Sequence, residues 1–207
     1  MRLLSLSTNP LTLRMATVLY LASSSPRRIQ MLNSRSIPFH QIPNQLHIEP
    51  SINEGEHPLD YVSRLAFEKA NASKSSYEGL ILGVDTIVNL NGIIMGKPSS
   101  VDHAVEMLST LSGTTHQVIT ACSLYNSRHH EWHFCIDYAS ITFAKENRSI
   151  IQDYVHSFQP LDKAGAYGIQ DQPPFIQSVS GDYDTVMGLP INRLLKIFHH
   201  YGIVKEC

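Results

Sequence analysis

The sequence has few charged residues and even fewer cysteines. Only 16% of its 207 residues are charged, the formal net charge is −2, and no block of like charge occurs. Because bulk binding to nucleic acid depends on many phosphate contacts by Lys and Arg, we expect no stable nucleic-acid binding. The three cysteines, Cys122, Cys135 and Cys207, are widely spaced and form no CxxC pair. This sparse set argues against a disulfide framework and favours a reducing, cytoplasmic location.

Long apolar runs are also absent. No uninterrupted apolar stretch approaches the roughly 20 residues of a membrane-spanning helix, so we expect no membrane association. The first residues, MRLLSLSTNPLTLR, contain two arginines and no acid, which weakly resembles a targeting segment. Polar residues interrupt its apolar run, however, and no small-residue cleavage site follows. We therefore predict a dispensable extension over residues 1–15, or an upstream start codon, ahead of a single domain over residues 16–207.

Several common motifs of nucleotide binding and catalysis are missing. The chain has no GxxxxGK[ST] phosphate loop, no GxGxxG turn and no GxSxG nucleophile elbow. Its eleven histidines include no HExxH motif and no ordered Cys/His set, which argues against a zinc site. Any phosphate site in this chain must therefore be built in another way.

What the sequence does contain is an alternation of short apolar strands and amphipathic helices. Asn91-Gly92, between two apolar runs, predicts a β-hairpin within residues 79–98. Because hairpins interrupt the alternation, we predict an α/β fold with a mixed sheet rather than a purely parallel one. The other predicted strands are residues 17–22, 37–42, 116–126, 131–144 and 175–179. The predicted helices are residues 26–34, 57–75, 100–113, 147–158 and 189–202.

The octapeptide LASSSPRR, residues 21–28, lies where the first strand gives way to the first helix. Such a turn presents unpaired backbone N–H groups and the positive end of the helix dipole, both of which attract anions. Serine hydroxyls and arginine side chains strengthen a phosphate site there, so the stretch predicts a phosphate cradle. The alternative is a helix capped by Ser25 and followed by two solvated arginines. The octapeptide alone does not separate the two interpretations.

Candidate partners for such a cradle occur further along the chain. Asp85, with Thr86 beside it, lies within the apolar run GVDTIV, where a buried acid is costly unless it holds a metal or another partner. Lys97 follows the predicted hairpin. The loop LDKAGAYGIQD, residues 161–171, brings Lys163 and Gln170 among small residues that let backbone approach a ligand closely. Taken alone, that loop is more typical of a surface turn.

Six blocks in the same order make the chain similar to the Maf family over residues 18–198. They are LASSSPRR, RLAFEKA, GVDTIV with GKP, LSGTTHQVITA, PLDKAGAYGIQD and GDYDTVMGLP. Maf proteins are nucleoside triphosphate pyrophosphatases, once described as septum-formation inhibitors and related in fold to inosine triphosphatases. The resemblance implies an elongated mixed α/β fold with two lobes around a central cleft. It also implies release of pyrophosphate from a nucleoside triphosphate, a Mg²⁺ or Mn²⁺ cofactor, and a homodimer.

The resemblance further implies roles for individual residues. Asp85 matches the acid that holds metal or activates water. Gln170 matches the branch that prefers dTTP and UTP. The remaining matches are with phosphate- or substrate-binding positions: Ser23, Arg27, Arg28, Lys69, Thr86 and Lys97.

One segment departs from the family pattern. Maf proteins usually carry an Asp-Glu pair before the second helix, whereas this chain has QLHIEPSINEGE there. Glu49 is the nearest candidate for the second metal ligand and Glu54 the next. The departure also leaves open a different function, a nucleotide- or nucleic-acid-binding regulator of cell division with little catalysis. A third alternative is an enzyme for another substrate, such as a nucleotide with a modified or methylated base.

Overall fold

The chain folds around a seven-stranded mixed sheet in a computed structural model that describes residues 17–46 and 50–205. The strands are β1 Leu19–Ala22, β2 His40–Ile42, β3 Leu80–Leu90, β4 Ile93–Met95, β5 Thr115–Asn126, β6 Glu131–Phe143 and β7 Ile176–Ser180. The helices are α1 Pro26–Ser34, α2 Pro58–Ser73, α3 Val101–Leu111, α4 Arg148–Phe158, α5 Tyr183–Val186 and α6 Ile191–His200. Two 3₁₀ turns, Ala164–Ala166 and Ile169–Asp171, lie between α4 and β7.

The sheet mixes parallel and antiparallel pairs, as the sequence predicts. Its order is β2-β1-β3-β5-β6-β7, and β4 pairs with β3. Strand β1 is parallel to both neighbours, whereas every other pair is antiparallel. The predicted hairpin is confirmed, because Asn91 and Gly92 both have positive φ between β3 and β4. The predicted α/β class with a mixed sheet is therefore correct.

Two apolar clusters lie at opposite ends of the long central strands. One contains the start of β3 with β1, α1 and α6, including Leu82 and Val84. The other contains the end of β3 with β4, α3 and α4, including Val88 and Leu90. These four side chains share one face of β3, because alternate residues of a strand point the same way. Thr86 lies between the two clusters on that face, which puts a polar residue at the boundary of the two predicted lobes.

One edge of β3 is open, with no strand neighbour around Thr86 in the part of the chain that the structure describes. Strand β1 pairs with β3 only over residues 80–82, and β4 pairs with it only over residues 88–90. Among the described residues, positions 83–87 therefore have a strand neighbour only on the β5 side. The carboxyl end of β1 and the start of α1 face this opening. Ligands of α/β proteins commonly bind at such a position, outside the carboxyl ends of parallel strands.

One sequence prediction is wrong, one lies outside the described residues, and three short helical elements were missed. Ser25 occupies the N-cap position of α1, but its side chain makes no capping hydrogen bond. The short helix α5 and the two 3₁₀ turns were not predicted, since three or four residues are too few to show helical periodicity. The predicted extension, residues 1–15, lies outside the described residues. No helix within residues 17–46 and 50–205 is long and apolar enough to cross a membrane.

Candidate active site

A cavity of about 340 Å³ lies at the open edge of β3. It brings together eight residues that the sequence predicted for a site: Ser23, Arg27, Arg28, Lys69, Asp85, Thr86, Lys97 and Gln170. These residues come from α1, α2, β3 and the loops after β1, β4 and α4. The ninth predicted residue, the metal candidate Glu49, lies outside the described residues. The roles predicted for these residues remain predictions, but their convergence on one cavity is an observed feature of the fold.

Arg28 connects three separate parts of the cavity wall. Its Nε donates a hydrogen bond of 2.7 Å to the carbonyl oxygen of Gly188, and its Nη1 donates one of 3.2 Å to Ser23 Oγ. Its Nη2 donates a third, of 3.1 Å, to Thr86 Oγ1. The guanidinium group therefore joins the β1–α1 turn, strand β3 and the segment after α5. A planar fork spreads five N–H donors over three nitrogens, whereas a lysine ammonium presents its three donors from a single nitrogen.

Thr86 continues this network across the sheet. Thr120 on β5, directly opposite Thr86, donates to the carbonyl oxygen of Thr185 at 2.8 Å. With its single hydrogen used there, Thr120 Oγ1 accepts from Thr86 at 3.0 Å. Thr86 Oγ1 in turn accepts from Arg28. The hydroxyl of Thr86 thus has a fixed direction before any ligand binds.

Asp85 is buried beside Lys69, which α2 carries across the opposite face of β3. The two side chains form an ion pair, and the residues are only 6% and 8% exposed. Gly83 permits this approach, because a Cβ there would overlap the carbonyl oxygen of Ala66 and lie 2.5 Å from the backbone nitrogen of Ala70. The resemblance implied a phosphate-binding role for Lys69, whereas in the structure it pairs with the predicted catalytic acid.

Arg27 points across the cavity to a residue that the sequence analysis did not single out. Its Nη1 donates to Asp162 Oδ2 at 2.8 Å, and Lys163 Nζ lies 3.1 Å from the other oxygen of Asp162. Burial would raise the pKa of Asp162, but the hydrogen bond from Lys163 and the charge of Arg27 hold it below its usual value. Asp162 therefore stays ionised near neutral pH. It links the first turn of α1 to the loop that follows α4.

Lys97 and Gln170 line the cavity with exposed side chains. Lys97 follows β4, and it has no ion-pair partner within the described parts of the chain. Gln170 lies in the second 3₁₀ turn, Ile169–Asp171. Both side chains are therefore accessible to a ligand in the cavity.

The charges around the cavity are unequal. Five lining residues are cationic, namely Arg27, Arg28, Lys69, Lys97 and Lys163, whereas the acids that line it are Asp85 and Asp162. A surplus of positive charge in a concave site favours a polyanion. In residues 17–46 and 50–205, no three His, Cys, Asp or Glu side chains come together as a metal site. Of the two acids that line the cavity, Asp85 is the one that the resemblance assigned to metal binding.

Several lining residues were not assigned a role from sequence. Asp162 directly precedes Lys163, which the sequence offered as a candidate partner for the cradle, and the charge of Asp162 was the available signal. Met187 and Gly188 belong to the block GDYDTVMGLP. This block is part of the resemblance to Maf proteins, but the resemblance implied no role for any of its residues. Asn44, in the loop after β2, carried no sequence signal.

Comparison with known proteins decides the family. A family model described as "Maf-like protein" matches residues 18–201, which is most of the chain. The chain belongs to the Maf family. This agrees with the six blocks in the sequence, and the cavity described above draws on residues from all six of them. In this Maf protein, the six blocks meet at the cavity at the open edge of β3.

Curated relatives cover nearly the whole of this Maf chain. A dTTP/UTP pyrophosphatase of Escherichia coli O157:H7 is 41% identical over 193 residues, which is 92% of this chain and 96% of that protein. A dTTP/UTP pyrophosphatase of Bacillus cereus (strain G9842) is 40% identical over 185 residues, 88% and 95% of the two chains. Among solved structures, the Staphylococcus aureus Ham1 protein is similar with a TM-score of 0.43 and 18% identity. The region of similarity covers 61% of this chain and 72% of the Ham1 chain.

Proposed function

We propose that the protein hydrolyses nucleoside triphosphates, dTTP and UTP in particular, to the monophosphate and pyrophosphate. The observation that carries the proposal is the buried carboxylate of Asp85 at the edge of a cavity lined by five cationic side chains. A triphosphate carries about four negative charges near neutral pH and requires such neutralisation before water can attack it. The names of the relatives, dTTP/UTP pyrophosphatase, support the same reaction and substrates.

The cationic residues would hold the phosphates. Arg27, Arg28 and Lys97 come from the two sides of the cavity, so a polyphosphate between them could be contacted from both. The three guanidinium nitrogens of Arg28 already donate hydrogen bonds to Gly188, Ser23 and Thr86. These bonds fix the position of the guanidinium group before the substrate binds. Donors that are oriented in advance stabilise developing charge without reorganisation during the reaction.

Asp85 would act on the attacking water. In the proposed step, the water oxygen forms a bond to the α-phosphorus while the bond from that phosphorus to the bridging oxygen breaks. Asp85 accepts a proton from the water, and pyrophosphate leaves with the bonding electrons. Lys69, ion-paired with Asp85, would hold this carboxylate in its orientation. Positively charged Arg and Lys side chains would stabilise the charge that develops on the departing pyrophosphate.

A divalent cation fits the donor set of the site. Magnesium prefers oxygen ligands, and it is usually bound by one or two carboxylates together with substrate phosphates rather than by a full cage of protein ligands. Asp85 is the described residue that would hold it, and Glu49 is the second candidate from the sequence. When bound, the cation would neutralise phosphate charge and polarise the scissile group.

Gln170 would recognise the base. Its exposed amide offers both a donor and an acceptor, and thymine and uracil present a matching acceptor and donor along one edge. Its place in the turn Ile169–Asp171 lies across the cavity from α1. A nucleotide held by Arg27 and Arg28 at its phosphates could therefore reach Gln170 with its base.

The test is pyrophosphate release from a panel of nucleoside triphosphates, with Mg²⁺, with Mn²⁺ and with a chelator. We expect metal-dependent turnover that is fastest with dTTP and UTP. A reaction in oxygen-18 water should place the label in the monophosphate, because attack is at the α-phosphorus. Label in pyrophosphate, or release of inorganic phosphate, would contradict the proposed mechanism. Binding of nucleotides without any turnover would instead favour a regulatory protein.

We also propose that the protein is a cytoplasmic homodimer. The unpaired thiols of Cys122 and Cys135 are compatible with a reducing compartment. On β6, the side chains of Phe134, Ile136 and Tyr138 share one face and are 60%, 40% and 57% exposed. This apolar strip is the surface to test first. Light scattering should give a dimer for the wild type and a monomer for Phe134→Lys, and a monomeric wild type would refute the proposal.

A further inference from the structure

The hydroxyl of Tyr154 lies between the two ends of the turn that carries Gln170. Tyr154 Oη accepts a hydrogen bond of 3.0 Å from the backbone nitrogen of Gly168, just before the turn. It donates one of 3.0 Å to Asp171 Oδ2, at the end of the turn. Gln170 stands between these two attachment points. A single side chain from α4 therefore ties both ends of the turn.

The turn is tightly closed around these contacts. The backbone nitrogen of Asp171 donates to the carbonyl oxygen of Gly168 at 3.1 Å, and Lys163 Nζ lies 3.6 Å from Asp171 Oδ2. A Cβ at Gly168 would lie 2.7 Å from Asp171 Oδ2 and 2.8 Å from Lys163 Cε. No side chain fits at that position without moving these groups. The backbone on either side of Gln170 thus has little freedom while the contacts last.

Tyr154 itself is held rigidly. The residue is 3% exposed, and its ring packs edge-on against Phe175 and tilted against Phe158, with ring centroids 5.1 and 5.0 Å away. Burial raises the pKa of its hydroxyl well above the usual value, so the group stays a neutral donor and acceptor at all working pH values. The packed ring therefore holds the Tyr154 hydroxyl in one place, and the two hydrogen bonds of that hydroxyl orient the turn.

We propose that Tyr154 and Asp171 are positioning residues that orient Gln170 for recognition of the nucleobase. Neither is among the residues that line the cavity, so they act through the turn rather than on the substrate. The proposal rests on the proposed function, since it requires a nucleotide whose base reaches Gln170. In this proposal, recognition of the base depends on the hydrogen bonds of the Tyr154 hydroxyl, which lies on α4 behind the cavity wall.

The consequence concerns the base and leaves the phosphates unaffected. Without the hydroxyl, the nitrogen of Gly168 loses its acceptor and Asp171 loses a donor, in a place where water has little access. The turn would then sample several positions, and the Gln170 amide would meet the base edge in only a fraction of them. Because Arg28 is bonded to Gly188, Ser23 and Thr86 rather than to this turn, phosphate binding should be preserved.

The experiment compares Tyr154→Phe with wild type for dTTP and UTP, with inorganic tripolyphosphate as a competitive probe of the phosphate site alone. We expect the KM for both nucleotides to rise roughly three- to tenfold, which corresponds to one lost hydrogen bond, with kcat within about twofold. The inhibition constant of tripolyphosphate should not change. Tyr201→Phe is the matched control, because its hydroxyl bonds His133 at 2.6 Å and is remote from the cavity. It should leave every constant unchanged.

A double-mutant cycle adds a readout that a general structural defect would not reproduce. In a Gln170→Ala background, Tyr154→Phe should have no further effect on KM, because the residue being positioned is already gone. If Tyr154→Phe does not fold, Asp171→Asn tests the same contact from the other end and should raise KM in the same direction.

Three results would overturn the proposal: an unchanged nucleotide KM, an equal rise in the tripolyphosphate constant, or a full effect in the Gln170→Ala background. These failures are distinct from failure of the proposed function. A wild-type protein that turns over no nucleotide refutes the function. An active wild type with an unaltered Tyr154→Phe variant refutes only the positioning role.

Discussion

Arg28 and Thr86 lie 58 positions apart in the chain, yet Arg28 Nη2 donates a hydrogen bond of 3.1 Å to Thr86 Oγ1. This contact joins the start of α1 to the open edge of β3, where the sheet leaves room for a ligand. The same guanidinium holds Ser23 and Gly188, so one side chain aligns three segments of the cavity wall. The geometry of the phosphate end of the site therefore depends on the shape of arginine and not on its charge alone.

Arg28→Lys should accordingly lower kcat/KM although the charge is kept. Lysine presents its donors from one nitrogen and lacks the planar fork that spans these three acceptors, so we expect a loss of roughly 10- to 100-fold, the usual effect of losing hydrogen bonds to a charged group. Steady-state kinetics with dTTP would measure it. Arg128→Lys is a suitable control, because Arg128 pairs with Glu78 at the surface and neither residue lines the cavity. Equal kcat/KM values for Arg28→Lys and wild type would exclude the alignment role.

Lys69→Met and Lys97→Met should separate stability from activity. Lys69 is buried in an ion pair with Asp85, so its removal should cost about 3 kcal/mol of unfolding free energy as well as activity. Lys97 is exposed, so its removal should change stability by less than about 0.5 kcal/mol while still weakening substrate binding. Urea denaturation and kinetics on the same samples would show this. Equal stability losses in both variants would be inconsistent with the buried pair.

Gly83→Ala should destabilise the protein because α2 lies directly against the backbone of β3 at this position. The added methyl group would overlap the carbonyl oxygen of Ala66, which forces the helix away from the strand. We expect a loss of at least about 2 kcal/mol in unfolding free energy. Gly96→Ala is the matched control, since a Cβ at Gly96 meets nothing within 4 Å. If both substitutions have the same small effect, the close approach of α2 is not required.

Acid should destabilise the fold through His116. Burial lowers the pKa of His116 from 6.5 to about 4, so the unfolded chain takes up a proton at a higher pH than the folded protein does. Stability from this group is complete above about pH 6.5 and falls by about 3 kcal/mol as the pH drops to about 4. Urea denaturation at about pH 7 and about pH 4 would measure the fall. In His116→Gln the fall should be smaller by this amount, and an identical fall would contradict the assignment.

Much of the fold was predictable because its signals are local. The helix α1 begins at Pro26 and ends at Ser34 as predicted, and the Asn91-Gly92 hairpin is formed. Asp85 could be found as a candidate because an acid in an apolar strand is costly without a function. Ser23 could be found from the strand-to-helix turn, and the resemblance to Maf proteins added a role for Thr86; both line the same cavity as Asp85.

The remaining features depend on contacts between distant segments. The ion pair of Arg27 with Asp162 joins residues 135 positions apart, and nothing near either residue indicates its partner. The pairing of Lys69 with Asp85 depends on where α2 crosses β3, which Gly83 decides. From sequence, Tyr154 is only one residue of a predicted helix. Its hydroxyl gains a partner when α4 packs behind the turn at Gly168, and the sequence does not indicate that contact.

The most direct test of the account is pyrophosphate release from dTTP by Asp85→Asn. Asp102→Asn, an exposed change of the same kind in the first turn of α3, serves as the control. The account predicts that Asp85→Asn loses roughly 10²- to 10⁴-fold in kcat, because the group that takes the proton from water is gone, while Asp102→Asn keeps full activity. An Asp85→Asn protein that folds and hydrolyses dTTP at the wild-type rate would contradict the central role of this carboxylate.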